Sequence, residues 1–372
     1  MLAIFLICVC ISITVVSMVL SKTKNKTSNT SYLFKYSPSA NMMLPFSPDK
    51  FTVFAAPASG PRGFTTMGFD TAFFQMAIDS KIHGNKWFLG GSTAALRFCC
   101  LISSIIVNHN LSNSMREHFT DMTYKAGDTP QVLSPMMEQL INICAPEELI
   151  DKIVSHPDLH LAIMVAHFDP CYISYPDWRL KMVFLSLFLL NLVRPGQMSK
   201  FYKRTCFYTG PEPPPFFDDK TVEFCPITAR NLKSVLKATT CVPFVSERVS
   251  SIHGLDAAGL FYDGAICDYH MNVCITNPDY QMLFLGDVPD KHIKQSFFDV
   301  IVPWKGAPDS YFENCSVIKP SDLFVDKILG KRLPNVSDWF DKDYIKDPEK
   351  RKASWRSVYN LSLEYWGKQF GS

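Results

Sequence analysis

At 372 residues, 47% of them hydrophobic and 13% aromatic, the chain can bury one large α/β domain or two smaller ones, and its composition excludes general disorder. A formal net charge of +2 leaves no electrostatic footprint for nucleic acid. The 12 cysteines follow no C-x-x-C or finger-like spacing and sit mostly in apolar runs, as Cys99 and Cys100 do, which reads as buried thiols rather than a disulfide framework or a zinc site.

Met1 to Leu20 carries no charged side chain, and as a helix it would span about 30 Å, the thickness of a bilayer core. This predicts a single-pass N-terminal anchor; a signal segment removed near Ser17, which would release a secreted protein, is the alternative. Two signals set the side of the membrane and point in opposite directions. Lys22, Lys24 and Lys26 favour a cytoplasmic domain, whereas glycosylation patterns at Asn25, Asn29, Asn110, Asn314, Asn335 and Asn360 have meaning only outside. Residues 21–50 are polar and without periodicity, as a tether would be.

From residue 51 the pattern changes to alternating strands and helices. Phe51 to Ala56 reads as a buried strand, and it runs into the loop Ser59-Gly60-Pro61-Arg62-Gly63. A helix is predicted over 65–80, with Phe69, Ala72, Phe73, Met76 and Ala77 on one face. Trp87 to Leu89 then forms a second apolar strand, followed by Gly90-Gly91-Ser92-Thr93-Ala94 and an Ala/Leu-rich helical run. Adjacent βα units of this kind predict a mostly parallel sheet whose sites form at the carboxyl ends of its strands. Residues 108–195 read as a mainly helical insertion, with a buried strand at 158–168 and a strongly apolar helix, 178–193, as core or as a cap over the site. Further strands are expected at 199–209, at 281–286 and at 297–302, a helix at 228–239, and a helix of mixed charge along the outside at 347–370.

Glycine, glycine and serine between a strand and a helix form a sharp turn that pushes the serine hydroxyl out over the end of the sheet. A serine N-cap fits the same residues, so the rest of the chain must decide between the readings. A serine hydroxyl at neutral pH is a poor nucleophile; it needs a base in hydrogen-bond reach and donors aimed at the developing oxyanion. A Ser…Asp…His triad has only His270 and His292 available after the Asp263-Gly264 turn, the first in an apolar segment and the second in an apparent surface turn. In a Ser/Asp dyad, Asp263 itself takes the proton. His156 and His160 have i, i+4 spacing, but Pro157 between them opposes the helix a metal pair would require.

The loop at Gly60, the elbow at Ser92 and Asp263-Gly264-Ala265, in that order, resemble the patatin-like phospholipases. Thr239-Thr240-Cys241-Val242-Pro243 also resembles the small-residue/Pro segment that precedes the Asp-Gly motif in that family, and Asp268-Tyr269-His270 and Val302-Pro303-Trp304-Lys305 are closest to a mainly bacterial branch of it. The resemblance covers about residues 51–370 and implies a three-layer α/β sandwich with a mostly parallel central sheet. It further implies a lipid acyl hydrolase without metal or other cofactor, acting on phospholipids or other acyl lipids at a membrane. Ser92 would be the nucleophile and Asp263 the general base, with Gly60, Arg62 and Gly63 supplying backbone oxyanion donors. Three positions depart from the family pattern: Ser-Gly-Pro-Arg-Gly stands for Gly-Gly-Gly-x-Arg-Gly, Ala94 for the last elbow glycine, and Ala265 for the second glycine after the base. Pro61 has no N–H to donate, which motivates the alternative of a catalytically silent, membrane-tethered lipid-binding protein.

Overall fold

The computed structural model describes residues 34–37, 48–123, 128–217, 219–255, 258–271, 273, 275, 277, 279–289, 294–299, 302 and 315–370. The predicted anchor at 1–20, His292 and Trp304 lie outside the described residues. Among the described residues nine strands form one sheet: β1 (Phe34–Ser37), β2 (Val53–Ala56), β3 (Lys86–Gly90), β4 (Leu159–Phe168), β5 (Tyr202–Tyr208), β6 (Val222–Pro226), β7 (Leu260–Asp263), β8 (Met282–Leu285) and β9 (Cys315–Pro320). The α-helices are α1 (Met67–Ile78), α2 (Ser92–Val107), α3 (Ser112–Asp121), α4 (Pro130–Cys144), α5 (Ile150–Val154), α6 (Asp177–Val193), α7 (Leu232–Thr239), α8 (Asp322–Lys327), α9 (Lys342–Lys346) and α10 (Pro348–Phe370). The fold is α/β, a mostly parallel central sheet flanked by helices.

The sheet order is β1-β9-β8-β2-β3-β4-β5-β6, with β7 paired to β4 off this path. Strands β9, β8, β2, β3 and β4 run parallel, and β4 to β5 is antiparallel. Both faces of the sheet are covered, so its strands are apolar on both sides. Phe54 and Phe88 point into the core shared with the helices. Val53, Ala55, Trp87 and Leu89 alternate to the other face, under Phe216, Tyr269, Met271, Val273 and Ile275.

Ten-residue β4 is the strand that positions the site. Its residues Ala162–Phe168 pair with β5, so β3, which meets Leu159–Ile163, must occupy the opposite edge, and so must β7, which meets Val165–Phe168. β3 runs parallel to β4 and ends at Gly90 opposite Ile163; β7 runs antiparallel and ends at Asp263 opposite Val165. The two strands therefore approach head to head along one edge.

Several expectations change. Residues 297–302 are not a strand where described: Phe297–Asp299 is a 3-10 turn, because the Asp299 carboxylate accepts the Ser296 backbone N–H at 3.1 Å and the Asn191 amide at 2.9 Å, which curls the chain instead of extending it. The segment read as a tether contributes β1, which adds antiparallel to β9. Helix α10 lies less outside than its charges suggest, for Trp355 and Trp366 are both 0% exposed. Phe69 meets Trp366 edge-on at 5.1 Å and belongs with Phe54, Phe73 and Phe88 to an aromatic cluster, which joins α10 to the sheet through α1.

Gly68 is what allows α1 and α10 to cross so closely. Its N–H donates to Ser362 Oγ at 3.1 Å, and a Cβ there would overlap the Ser362 backbone. Gly68→Ala should therefore lower stability by about 1–3 kcal/mol in chemical denaturation, although alanine in an open helix would gain about 1 kcal/mol over glycine. A raised denaturation midpoint would contradict this account of the crossing.

Candidate active site

The Gly60 loop follows β2 and the elbow follows β3, so both stand at the carboxyl end of parallel strands. Ser92 has φ 51°, the left-handed region that a non-glycine residue enters at a cost of about 1–3 kcal/mol and that is held only when its surroundings fix it. Thr239, the last residue of α7, fixes it here. Its hydroxyl accepts the Ser92 backbone N–H at 2.9 Å and donates to the Met164 carbonyl of β4 at 2.7 Å.

Two glycines bring Asp263 to Ser92. A Cβ on Gly91 would stand 3.4 Å from the Gly264 Cα and 3.0 Å from Met271 Cε, and a Cβ on Gly264 would overlap the Met164 carbonyl. With both absent, the elbow and the turn after β7 touch. The Ser92 hydroxyl donates to Asp263 Oδ2 at 2.6 Å, while Asp263 Oδ1 accepts the Ala265 backbone N–H at 2.8 Å. Asp263 is 5% exposed, and burial pushes its carboxyl up to about 7, with the bonds from Ser92 and Ala265 pulling the other way. It is thus an acid poised where general bases work best.

Gly60–Thr65 winds into a 3-10 turn that Gly60 opens at φ 56°. The Arg62 N–H turns back to the Ser59 carbonyl at 3.3 Å, and Gly63 lies off the cavity, with the space of its missing Cβ bounded by Thr93 and Arg97. Gly60 and Thr93 both line the cavity, and among the described residues neither backbone N–H has an acceptor. Thr93 is in the first turn of α2, where N–H groups have no intrahelical partner and the helix dipole favours negative charge. Sequence reading passed over Thr93, although the N–H after an elbow nucleophile is a standard oxyanion donor.

Arg97, 1% exposed, braces this end of α2. It makes a bidentate pair with Asp70 of α1 at 2.8 and 2.9 Å and donates to Thr66 Oγ1, just past the Gly60 loop, at 2.7 Å. The Arg62 side chain is beside Tyr269 and buried Asp287, whose carboxyl is held below its ordinary value by His270 and Arg62 against the opposing effect of burial.

His270 is bound elsewhere. Its Nδ1 accepts the Lys294 backbone N–H at 2.7 Å and its Nε2 stands 3.5 Å from Asp287, so both ring nitrogens serve the wall of the fold. His160 is a strand residue packed on Trp87 at 4.8 Å, and among the described residues no group of three or more His, Cys, Asp or Glu side chains could hold a metal ion.

Ser92 and Asp263 open on a cavity of about 260 Å³. Phe119, Met122, Leu133, Phe184, Phe244 and Trp339 make its wall apolar, and Ser92, Asp263, the Gly60 loop and Thr93 line it as well. The arrangement can hold an apolar chain next to a deprotonatable hydroxyl and two free N–H donors. No protein-family model matches the chain, and no curated protein matches it.

Because the folded carboxyl titrates near 7 and an unfolded one near 3.8, the folded state keeps a proton that the unfolded state has lost between these values. Asp263 therefore contributes stability below about pH 4 that is lost as pH rises through about 7. Asp263→Asn, which cannot ionise, should match the parent near pH 4 and exceed it at pH 8 by on the order of 1–3 kcal/mol in denaturant titrations. Equal stability at both pH values would remove the buried charge from the account.

Proposed function

We propose that the protein is a patatin-like serine acyl hydrolase that cleaves carboxylic esters of phospholipids or other acyl lipids. The observation that carries this reading is the 2.6 Å hydrogen bond from the Ser92 hydroxyl to buried Asp263 at the edge of an apolar cavity. Asp263 draws the proton as Ser92 Oγ attacks the ester carbonyl, and the oxyanion is met by the N–H groups of Gly60 and Thr93. Collapse of the tetrahedral intermediate breaks the ester C–O bond; the alkoxide leaves with the proton from Asp263, and the acyl group stays on Ser92. Water enters, Asp263 takes its proton, and a second tetrahedral intermediate releases the carboxylic acid and restores the hydroxyl. The carboxyl near 7 suits both halves, as base in the first step and acid in the next.

The apolar wall supports a fatty acyl group as the bound part of the substrate, and residues 1–20 as an anchor would keep the domain at the lipid. The silent lipid-binding reading draws on Pro61 and on the Arg62 N–H turned to Ser59, which leave the loop with few donors. Hydrolysis separates the two. Purified protein should release acid from a medium-chain p-nitrophenyl ester faster than from the acetate, and Ser92→Ala should lower kcat/KM by about 10³-fold or more. Undiminished turnover in Ser92→Ala would overturn the assignment of the nucleophile, and no turnover by the parent on any ester would favour the silent protein.

A further inference from the structure

Helix α6 is apolar on two opposite faces, and among the described residues only one of them is packed. Leu180, Phe184 and Leu187 are at most 5% exposed and turn into the protein, where Phe184 lines the cavity and meets Phe244 at 5.5 Å. Trp178, Met182, Leu185, Leu189, Leu192 and Val193 are between 45% and 76% exposed. At 3.6 residues per turn these six fall within about 100° of arc on the opposite side, one continuous stripe along the helix. A soluble surface helix puts polar residues there; a stripe this long marks contact with an apolar partner.

The charges around the stripe identify the partner. Arg179 and Lys181 stand on its two flanks, and exposed Arg194 follows the last turn. None of the three pairs with a described carboxylate. The sole acid of the helix, Asp177, is at its start and is paired with Arg248. Arg179 rests against the Tyr175 and Trp178 rings at 5.4 and 5.6 Å, so cation and aromatic sit together at one end of the stripe. Apolar stripe, flanking cations and a terminal tryptophan are the composition of a helix lying in the interface of an anionic bilayer.

We infer that the outer face of α6 docks on the surface of an anionic lipid bilayer and presents the cavity to it. The turn Phe297–Asp299 packs against the inner face of α6, where buried Asn191 donates to Asp299 at 2.9 Å, and Phe297, 37% exposed, lines the cavity, so the helix and the cavity are neighbours. The inference rests on the ester-hydrolase reading for its purpose, a bilayer lipid as substrate, while the docking itself requires no turnover.

The test uses the full chain carrying Ser92→Ala, reconstituted in phosphatidylcholine vesicles with and without phosphatidylglycerol, and reads Trp178 as the difference from the same chain with Trp178→Phe. Trp178 emission should shift to shorter wavelength and be quenched when the acyl chains are brominated, less at high salt, and the quenching should be lost in Leu185→Glu/Leu189→Glu. An unshifted, unquenched Trp178 overturns the inference, whether a second copy or the chain's own N-terminal segment then covers the stripe. Equal quenching without phosphatidylglycerol overturns the role of the cations. In the catalytic chain, Leu185→Glu/Leu189→Glu should lower hydrolysis of vesicle lipid about 10-fold and leave a dispersed short-chain ester unaffected. Loss on both substrates contradicts a docking role, and quenching without hydrolysis by the parent leaves the docking standing while the hydrolase reading falls.

Discussion

The close approach of Gly91 and Gly264 is the constraint on which the rest of the site depends. One turn leaves β3 and the other leaves β7, and the two strands meet head to head on one edge of β4. A Cβ on Gly264 would overlap the Met164 carbonyl and displace the turn that carries Asp263 from its 2.6 Å contact with Ser92, while one on Gly91 would crowd Met271 Cε at 3.0 Å. Met164 is the common floor: its carbonyl limits Gly264 and anchors Thr239, which in turn holds the Ser92 backbone. Ser92, Asp263 and the threonine that fixes the elbow are thus referred to one peptide of one central strand.

Holding that geometry works against stability at three places: a serine in left-handed backbone, a carboxyl buried in apolar surroundings, and the Gly60 and Thr93 N–H groups, which have no acceptor among the described residues. The rest of the fold offsets it. The Arg97 fork onto Asp70 and Thr66 locks α2, α1 and the end of the Gly60 loop together, and burial would cost this pair dearly if either partner were removed. The aromatic cluster around Phe54 and Trp366 ties the same helices to the sheet and to α10. Rigid packing on the helical side and a strained, poised dyad on the cavity side are the division expected of a catalytic site.

The parts of this arrangement that follow from local pattern could be read in the sequence. Phe51 to Ala56 and Trp87 to Leu89 are continuous apolar runs bounded by turn residues, as strands buried on both faces must be, and Ser92 and Asp263 each follow such a run. Residues 297–302 misled because two phenylalanines and two valines read as a strand, whereas Asp299 folds back on Ser296 through a bond that periodicity does not register. Thr239 and Met164 stand 75 residues apart and meet only through the sheet, so neither could be tied to Ser92 in advance. The outer face of α6 was hidden for another reason: a helix apolar all round looks like core until its exposure is known.

The central claim is that Ser92 is activated by Asp263 and by no histidine. The rate at which a fluorophosphonate labels Ser92, followed by intact mass across pH, tests it most directly. The account predicts labelling that rises with pH through an apparent value near 7, persists in His270→Ala and is lost in Asp263→Asn. Labelling that survives in Asp263→Asn and vanishes in His270→Ala would contradict it.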